Sequence, residues 1–167
     1  MHPARHWNER LAGKAMLLLA FVVTALTAVL AGPQRSEPMD IGEGIIRKAS
    51  PRTVPQTLDR LEAILKTKGV QVFARIDHSG EAAKVGLTMP PTQVLIFGNP
   101  RAGTSVMLAA PTSAIDLPLK ALAWQDSAGK VWLGYNDPKY FARRYGLDEK
   151  QVAPLAVVAD LVDAAVK

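Results

Sequence analysis

The stretch Thr53–Asp77, TVPQTLDRLEAILKTKGVQVFARID, changes its apolar period once, and that change decides the fold class. Val54, Leu58, Leu61, Ile64 and Leu65 recur at helical spacing and predict a helix over 54–68 with one apolar stripe. Thr53 with Gln56 forms a capping-box pattern at its start, while Lys66, Lys68 and Gly69 supply a basic last turn and a left-handed stop. From Val70 the period becomes two: Val70, Val72, Ala74 and Ile76 share one face, and Gln71, Phe73, Arg75 and Asp77 the other. That pattern predicts a strand with its first set buried.

Upstream, Ile45 and Ile46 mark a first strand over 41–49, ended by Ser50-Pro51. Downstream, Ser79–Val85 reads as a short helix and Val94–Phe97 as an apolar strand. Asn99 as cap and Pro100 at the first helical position open a helix to about Ala110, with Ala102, Val106 and Ala109 inward. Leu119–Trp124 and Val131–Tyr135, joined by Asp126-Ser127-Ala128-Gly129, form a hairpin. Asp137-Pro138 caps a short helix ending at Gly146, and a final apolar helix carries Leu155, Val158, Leu161 and Val162, with Pro154 near its start. A hairpin after mixed connections predicts an α+β fold, a mainly antiparallel sheet of four or five strands with helices packed on one face.

The N-terminus reads differently. Arg5, Arg10 and Lys14 precede an apolar run of sixteen residues, Ala15–Leu30, followed by Ala31-Gly32-Pro33. This is the form of a secretory signal over 1–31, and the run falls short of the roughly 20 residues of a spanning helix. Cleavage after Ala31 is favoured; a retained anchor would contact the membrane only through 15–30 and leave the remainder facing outward. Both alternatives predict an exported protein, periplasmic or extracellular. Residues 32–40 read as a flexible tether and 41–167 as a single domain.

The chain has no cysteine, which excludes disulfides, thiolate metal sites and a lipidated N-terminal cysteine. Without Arg5, Arg10, Lys14 and Glu9 of the leader, 20 basic and 15 acidic residues become 17 and 14, a balance of +3. With no long basic run and no basic stripe interleaved with aromatics, nucleic-acid binding has little support.

Four strings stand in order along the domain: Phe73-Ala74-Arg75-Ile76-Asp77-His78; Phe97-Gly98-Asn99-Pro100 with Gly103-Thr104; Asp116-Leu117-Pro118-Leu119-Lys120; and Trp132-Leu133-Gly134-Tyr135-Asn136-Asp137-Pro138. Together they resemble the domain of unknown function 302 family from about Gly44 to Val162. The resemblance implies a compact α+β fold, common export and a homodimeric partner, and it implies no chemistry. Members often carry Arg-His-Gly where this chain has Arg144-Tyr145-Gly146, so a second histidine to pair with His78 is missing here.

Candidate site residues follow from residue chemistry. The segment Gly98–Ser105 is a near miss to a phosphate-binding loop, with Thr104 where the lysine would stand, so a capped strand-to-helix turn is the favoured reading. A weaker version has free N–H groups and Arg101 holding a small anion. His78 is the one histidine outside the leader, beside Asp77 at a strand end. It suits an acid, a base or a single metal ligand, against a structural role in a turn; nothing spaces further ligands around it, so no metal site is expected. Asp116 and Asn136-Asp137 read as turn or cap residues, or as acid–base partners should they share a cleft with His78. A triad of Ser105, His78 and Asp116 lacks the nucleophile elbow. Phe73, Trp124 and Trp132 read as packing residues under helices or at a dimer interface, or as walls of an apolar pocket that Tyr145 closes or, with haem present, ligates weakly.

Three functional readings stand open. The first is a binding or interaction module with a pocket or groove near Asp77, His78, Asn99, Arg101 and Tyr135, its ligand and any cofactor unnamed. The second is a hydrolase- or lyase-type enzyme using His78 with Asp77 or Asp116, and the third is a structural envelope protein.

Overall fold

The computed structural model describes residues 44–167; the leader and the tether lie outside the described residues. Five strands, β1 (Ile45–Ser50), β2 (Gln71–Asp77), β3 (Thr92–Gly98), β4 (Leu119–Gln125) and β5 (Val131–Asn136), form one sheet in the order β1-β5-β4-β3-β2. Every neighbouring pair is antiparallel. Two main helices, α1 (Val54–Thr67) and α6 (Val157–Val166), pack together and against one face of the sheet. Leu58, Leu61 and Leu65 of α1 and Val158, Leu161 and Val162 of α6 are wholly buried against Leu95, Phe97 and Leu133. Each such side chain contributes about 1.5–3 kcal/mol of gross burial free energy.

The expected ends of α1 are present. The Thr53 hydroxyl accepts from Gln56 N–H, and the Gln56 side chain accepts from Thr53 N–H. The smaller helices are α2 (His78–Lys84), α3 (Pro100–Ala109), α4 (Pro138–Tyr145) and α5 (Glu149–Val152). Short 3-10 segments follow α3 at Pro111–Ile115 and α5 at Ala153–Leu155. Pro154 therefore sits in a tight turn before α6, where its missing N–H does no harm. Gly146 ends α4 in the left-handed conformation at φ 64°.

Two face assignments differ from the sequence reading. A β-bulge falls between Val72 and Ala74: Val72 opposes Phe97 and Ala74 opposes Ile96, leaving Phe73 as the extra residue. Beyond the bulge the strand has changed faces, so Arg75 shares the helix-side face with Leu95, and Ile76 is 38% exposed on the other. Arg75 fills its inward position by donating to Gln93 Oε1 (3.0 and 2.8 Å), to the Pro55 carbonyl (3.1 Å) and to Asp59 of α1. On α3, Val106 is buried and Ala109 exposed, because the helix turns Ala102, Gly103, Val106 and Met107 inward instead.

Trp124 and Trp132 oppose one another on the face away from α1 and α6, so they do not pack under those helices. The Trp132 indole donates to Asp126 Oδ2 (2.8 Å) and lies 4.2 Å from the Arg47 guanidinium and 4.1 Å from the Lys130 ammonium. Trp124 lies against Gly134, where a Cβ would approach its ring within 2.9 Å.

Candidate functional site

Antiparallel pairing gives the sheet two ends of different character. β2 finishes at Asp77, opposite Gln93 near the start of β3, whereas β3 finishes at Gly98, opposite Gln71. Asp77 and Asn99 thus stand at opposite ends, separated by roughly 20 Å of strand.

At the Asp77 end the turn that follows β2 closes on itself, while the β1, β4 and β5 corner of that end carries a shallow groove of about 400 Å³ bordered by Ser50, Arg52, Thr53, Gln125 and Lys130. Asp77 caps α2, its Oδ1 accepting from Ser79 Oγ (2.6 Å) and Gly80 N–H (2.9 Å). These bonds, the Ser79 hydroxyl foremost, hold its carboxyl below the usual carboxylate range. His78 is the first residue of α2, exposed, and Asp77 does not bond it.

At the Gly98 end lies a cavity of about 270 Å³. Phe73 and Phe97 line it from the sheet, Gly103 and Met107 from α3, Leu117 from the segment before β4, and Leu161 from α6. The bulge contributes here, since it carries Phe73 to a point where its ring edge would meet a Cβ built on Gly98 at 3.9 Å. Three prolines, Pro100, Pro118 and Pro154, stiffen the walls. The polar side chains on the lining are Asn99 and Thr104. Asn99 Oδ1 already accepts from Arg101 N–H (2.9 Å) and so caps α3.

Of the sequence candidates, Asn99 borders this cavity, and the exposed Arg101 follows two residues later on α3. Asp116 and Tyr145 are brought together elsewhere: the phenol donates to Asp116 Oδ2 at 2.5 Å, with Arg144 Nε 3.5 Å from the same oxygen. Burial first, and then that bond, push the Tyr145 phenol above its ordinary range. Tyr145 also packs on Phe141 at 4.7 Å, so it joins α4 to the segment entering β4 and does not line the cavity at the Gly98 end. Tyr135 is 5% exposed on the helix-side face, its phenol pushed up by burial. With Asp116 it borders a crevice of about 10 Å³, room for one water at most.

His78 is therefore at the opposite end of the sheet from Asp116, Asp137 and Ser105. Asp137 caps α4 by accepting from Lys139 N–H, and Ser105 donates to the Ala102 carbonyl. Among the described residues, no group of three or more His, Cys, Asp or Glu is placed to hold a metal ion.

The sequence reading reached Gly98, Asn99, Pro100, Ala102, Gly103 and Thr104 through the loop-like string and Phe73 as a pocket wall, and missed the rest of the lining. One signal was available. Gly103 sits inside a helix where glycine costs about 1 kcal/mol relative to alanine. It is neither a cap nor in the left-handed region, and a Cβ there would meet only the Met107 methyl at 4.0 Å.

The chain belongs to the DUF302 family, described as a domain of unknown function, whose model matches residues 46–165. A crystal structure of an uncharacterized conserved DUF302 protein from Bacillus stearothermophilus has the same fold. Its TM-score is 0.63 at 20% identity, over 75% of this chain and 97% of that one. Among curated relatives, proteins named Fluoride-specific ion channel FluC 1 from Brucella suis and Brucella abortus are each 42% identical over 138 residues. A Brucella melitensis protein named Fluoride-specific ion channel FluC 2 matches equally. These matches cover 75% of this chain and 51–54% of the relatives, so the chain spans about half their length. No helix among the described residues is long and apolar enough to cross a membrane.

Proposed function

We propose that this DUF302 chain is an exported module that holds a small apolar molecule in the cavity at the Gly98 end of the sheet. The cavity carries the reading: about 270 Å³ of space, walled by Phe73, Phe97, Met107, Leu117 and Leu161 and bordered by few polar groups. It lies at the small end of ligand sites, which favours a compact guest over a long lipid. The signal-like leader supports export, and the Trp124–Trp132 face offers a homodimer a place to form. An acid–base reading fares worse, because the Asp77 carboxylate bonds within its own turn and Asp116 is at the far end from His78.

The test is a thermal melt of the full chain with neutral apolar compounds of graded size, from benzene and octane to naphthalene. A guest that binds the folded state alone raises the midpoint in proportion to the logarithm of its concentration. If no compound raises it, the binding reading falls.

A second reading rests on the Brucella relatives, whose shared half accompanies a length that this chain does not match. In it the domain is an accessory to a membrane fluoride channel. A strain lacking this chain would then become fluoride-sensitive, and unchanged growth in fluoride would remove the reading.

A further inference from the structure

We infer that the cavity selects an uncharged, fused two-ring aromatic molecule of the indole or naphthalene class, and that Gly103 keeps the space for it. This rests on the binding reading above and names its ligand class. Size gives the first argument. An apolar cavity of about 150 Å³ lined by Leu, Ile and Phe takes up benzene. The present cavity, about 270 Å³ and open to solvent beside Phe73 and Val157, is nearly twice that and has room for a second fused ring.

Wall chemistry gives the second. The accessible Phe73 ring and the Met107 thioether are partners for an aromatic guest, with the buried Phe97 behind them. No charged side chain is on the lining, so an ionised guest would lose hydration without a counterion. The Asn99 amide and Thr104 hydroxyl leave room for one hydrogen-bonding group, such as an indole N–H.

Gly103 gives the third. Glycine is a poor helix former, yet here neither backbone conformation nor crowding calls for it, since a Cβ would have only the Met107 methyl for company at 4.0 Å. A larger residue would strengthen α3 and occupy the cavity. The absence of a side chain at this point of the wall makes sense if a guest takes its place.

The experiment compares Gly103→Leu and Gly103→Ala with the parent full chain. Dissociation constants for indole, naphthalene, benzene, octane and decalin are read by NMR titration, and unfolding midpoints by thermal melts. Indole and naphthalene are expected to bind at least tenfold tighter than benzene, octane or decalin. G103L is expected to lose that binding by tenfold or more with an equal or higher midpoint, and G103A to weaken it several-fold. G103A accommodates its single methyl without rearrangement, so it stands as the test should G103L fail to fold. Octane, decalin or benzene binding as tightly as naphthalene would overturn the fused two-ring aromatic assignment while leaving the binding reading standing. Unchanged two-ring binding in G103A and G103L would overturn the placement, and binding by none of the five compounds would end both proposals.

Discussion

The two ends of the central strands use the same local device and finish differently. At one end an Asp caps a helix straight after a strand, Asp77 before His78; at the other an Asn does so, Asn99 before Pro100. Around Asp77 nothing packs behind the cap, because α2 has no buried residue and the loop beyond exposes Val85 and Leu87. Around Asn99 the cap opens a ten-residue helix that stands off from α6 and leaves a cavity. A capping motif fixes the direction of the chain over one turn. Whether that turn borders a ligand-sized space is set by what packs behind it, and the packing comes from residues distant in sequence.

The strongest challenge to this contrast is to remove one large apolar side chain at each end. Phe97 is fully buried behind the cavity, so Phe97→Ala is expected to cost about 3–5 kcal/mol. Ile76, near the Asp77 end, is 38% exposed, and Ile76→Ala is expected to cost below about 1 kcal/mol. Urea unfolding of both variants reads the difference. Equal losses would mean that the ends are built alike.

Much of the fold was legible because its signals are local. The capping box of α1, the hairpin around Gly129 at φ 80° and the Gly146 stop each depend on residues within one turn of each other. The five-stranded sheet followed from those pieces in order. The bulge was not legible. Phe73 is an ordinary strand residue and no glycine marks the spot, so period two ran straight through it and placed Arg75 and Asp77 on the wrong face. The candidate site suffered for a related reason: Asp77, His78, Asn99 and Arg101 lie within 25 residues of chain, and only the antiparallel turn of β3 against β2 shows them to be far apart. The Asp116–Tyr145 bond, spanning 29 residues, had no sequence signature at all.

A smaller effect sharpens the contrast at the bulge. Gln93 is 9% exposed and its side-chain oxygen is held by Arg75, so Arg75→Ala is expected to cost about 2 kcal/mol by leaving that oxygen unpaired. Arg75→Met keeps the aliphatic stem, and what it still loses isolates the hydrogen bonds from the packing. Both variants should leave guest binding unchanged, since Arg75 does not line the cavity. A change in guest affinity would show that the bulge couples the two ends.

The smallest effect is at Asp77. Its carboxyl is held below the usual range by the Ser79 hydroxyl and the Gly80 N–H, and that of Asp126 by the Trp132 indole and the Lys130 and Ala128 N–H groups. A group with a depressed folded pKa contributes stability above its unfolded value, near 4, and loses it as pH falls through the folded one. Both residues therefore belong to the acid limb, and the urea midpoint of the parent should fall as the pH drops below about 4. Asp77→Asn keeps a capping oxygen and removes the titration, so its midpoint should fall less steeply over that window, and Asp77→Asn with Asp126→Asn less steeply still. His78→Ala should move neither the midpoint at pH 7 nor the affinity for indole, because the imidazole stands exposed at the end of the sheet away from the cavity. An indole affinity that followed His78 would place the working site at the Asp77 end after all, and the contrast between a cap that merely turns the chain and a cap that borders a guest would then be reversed.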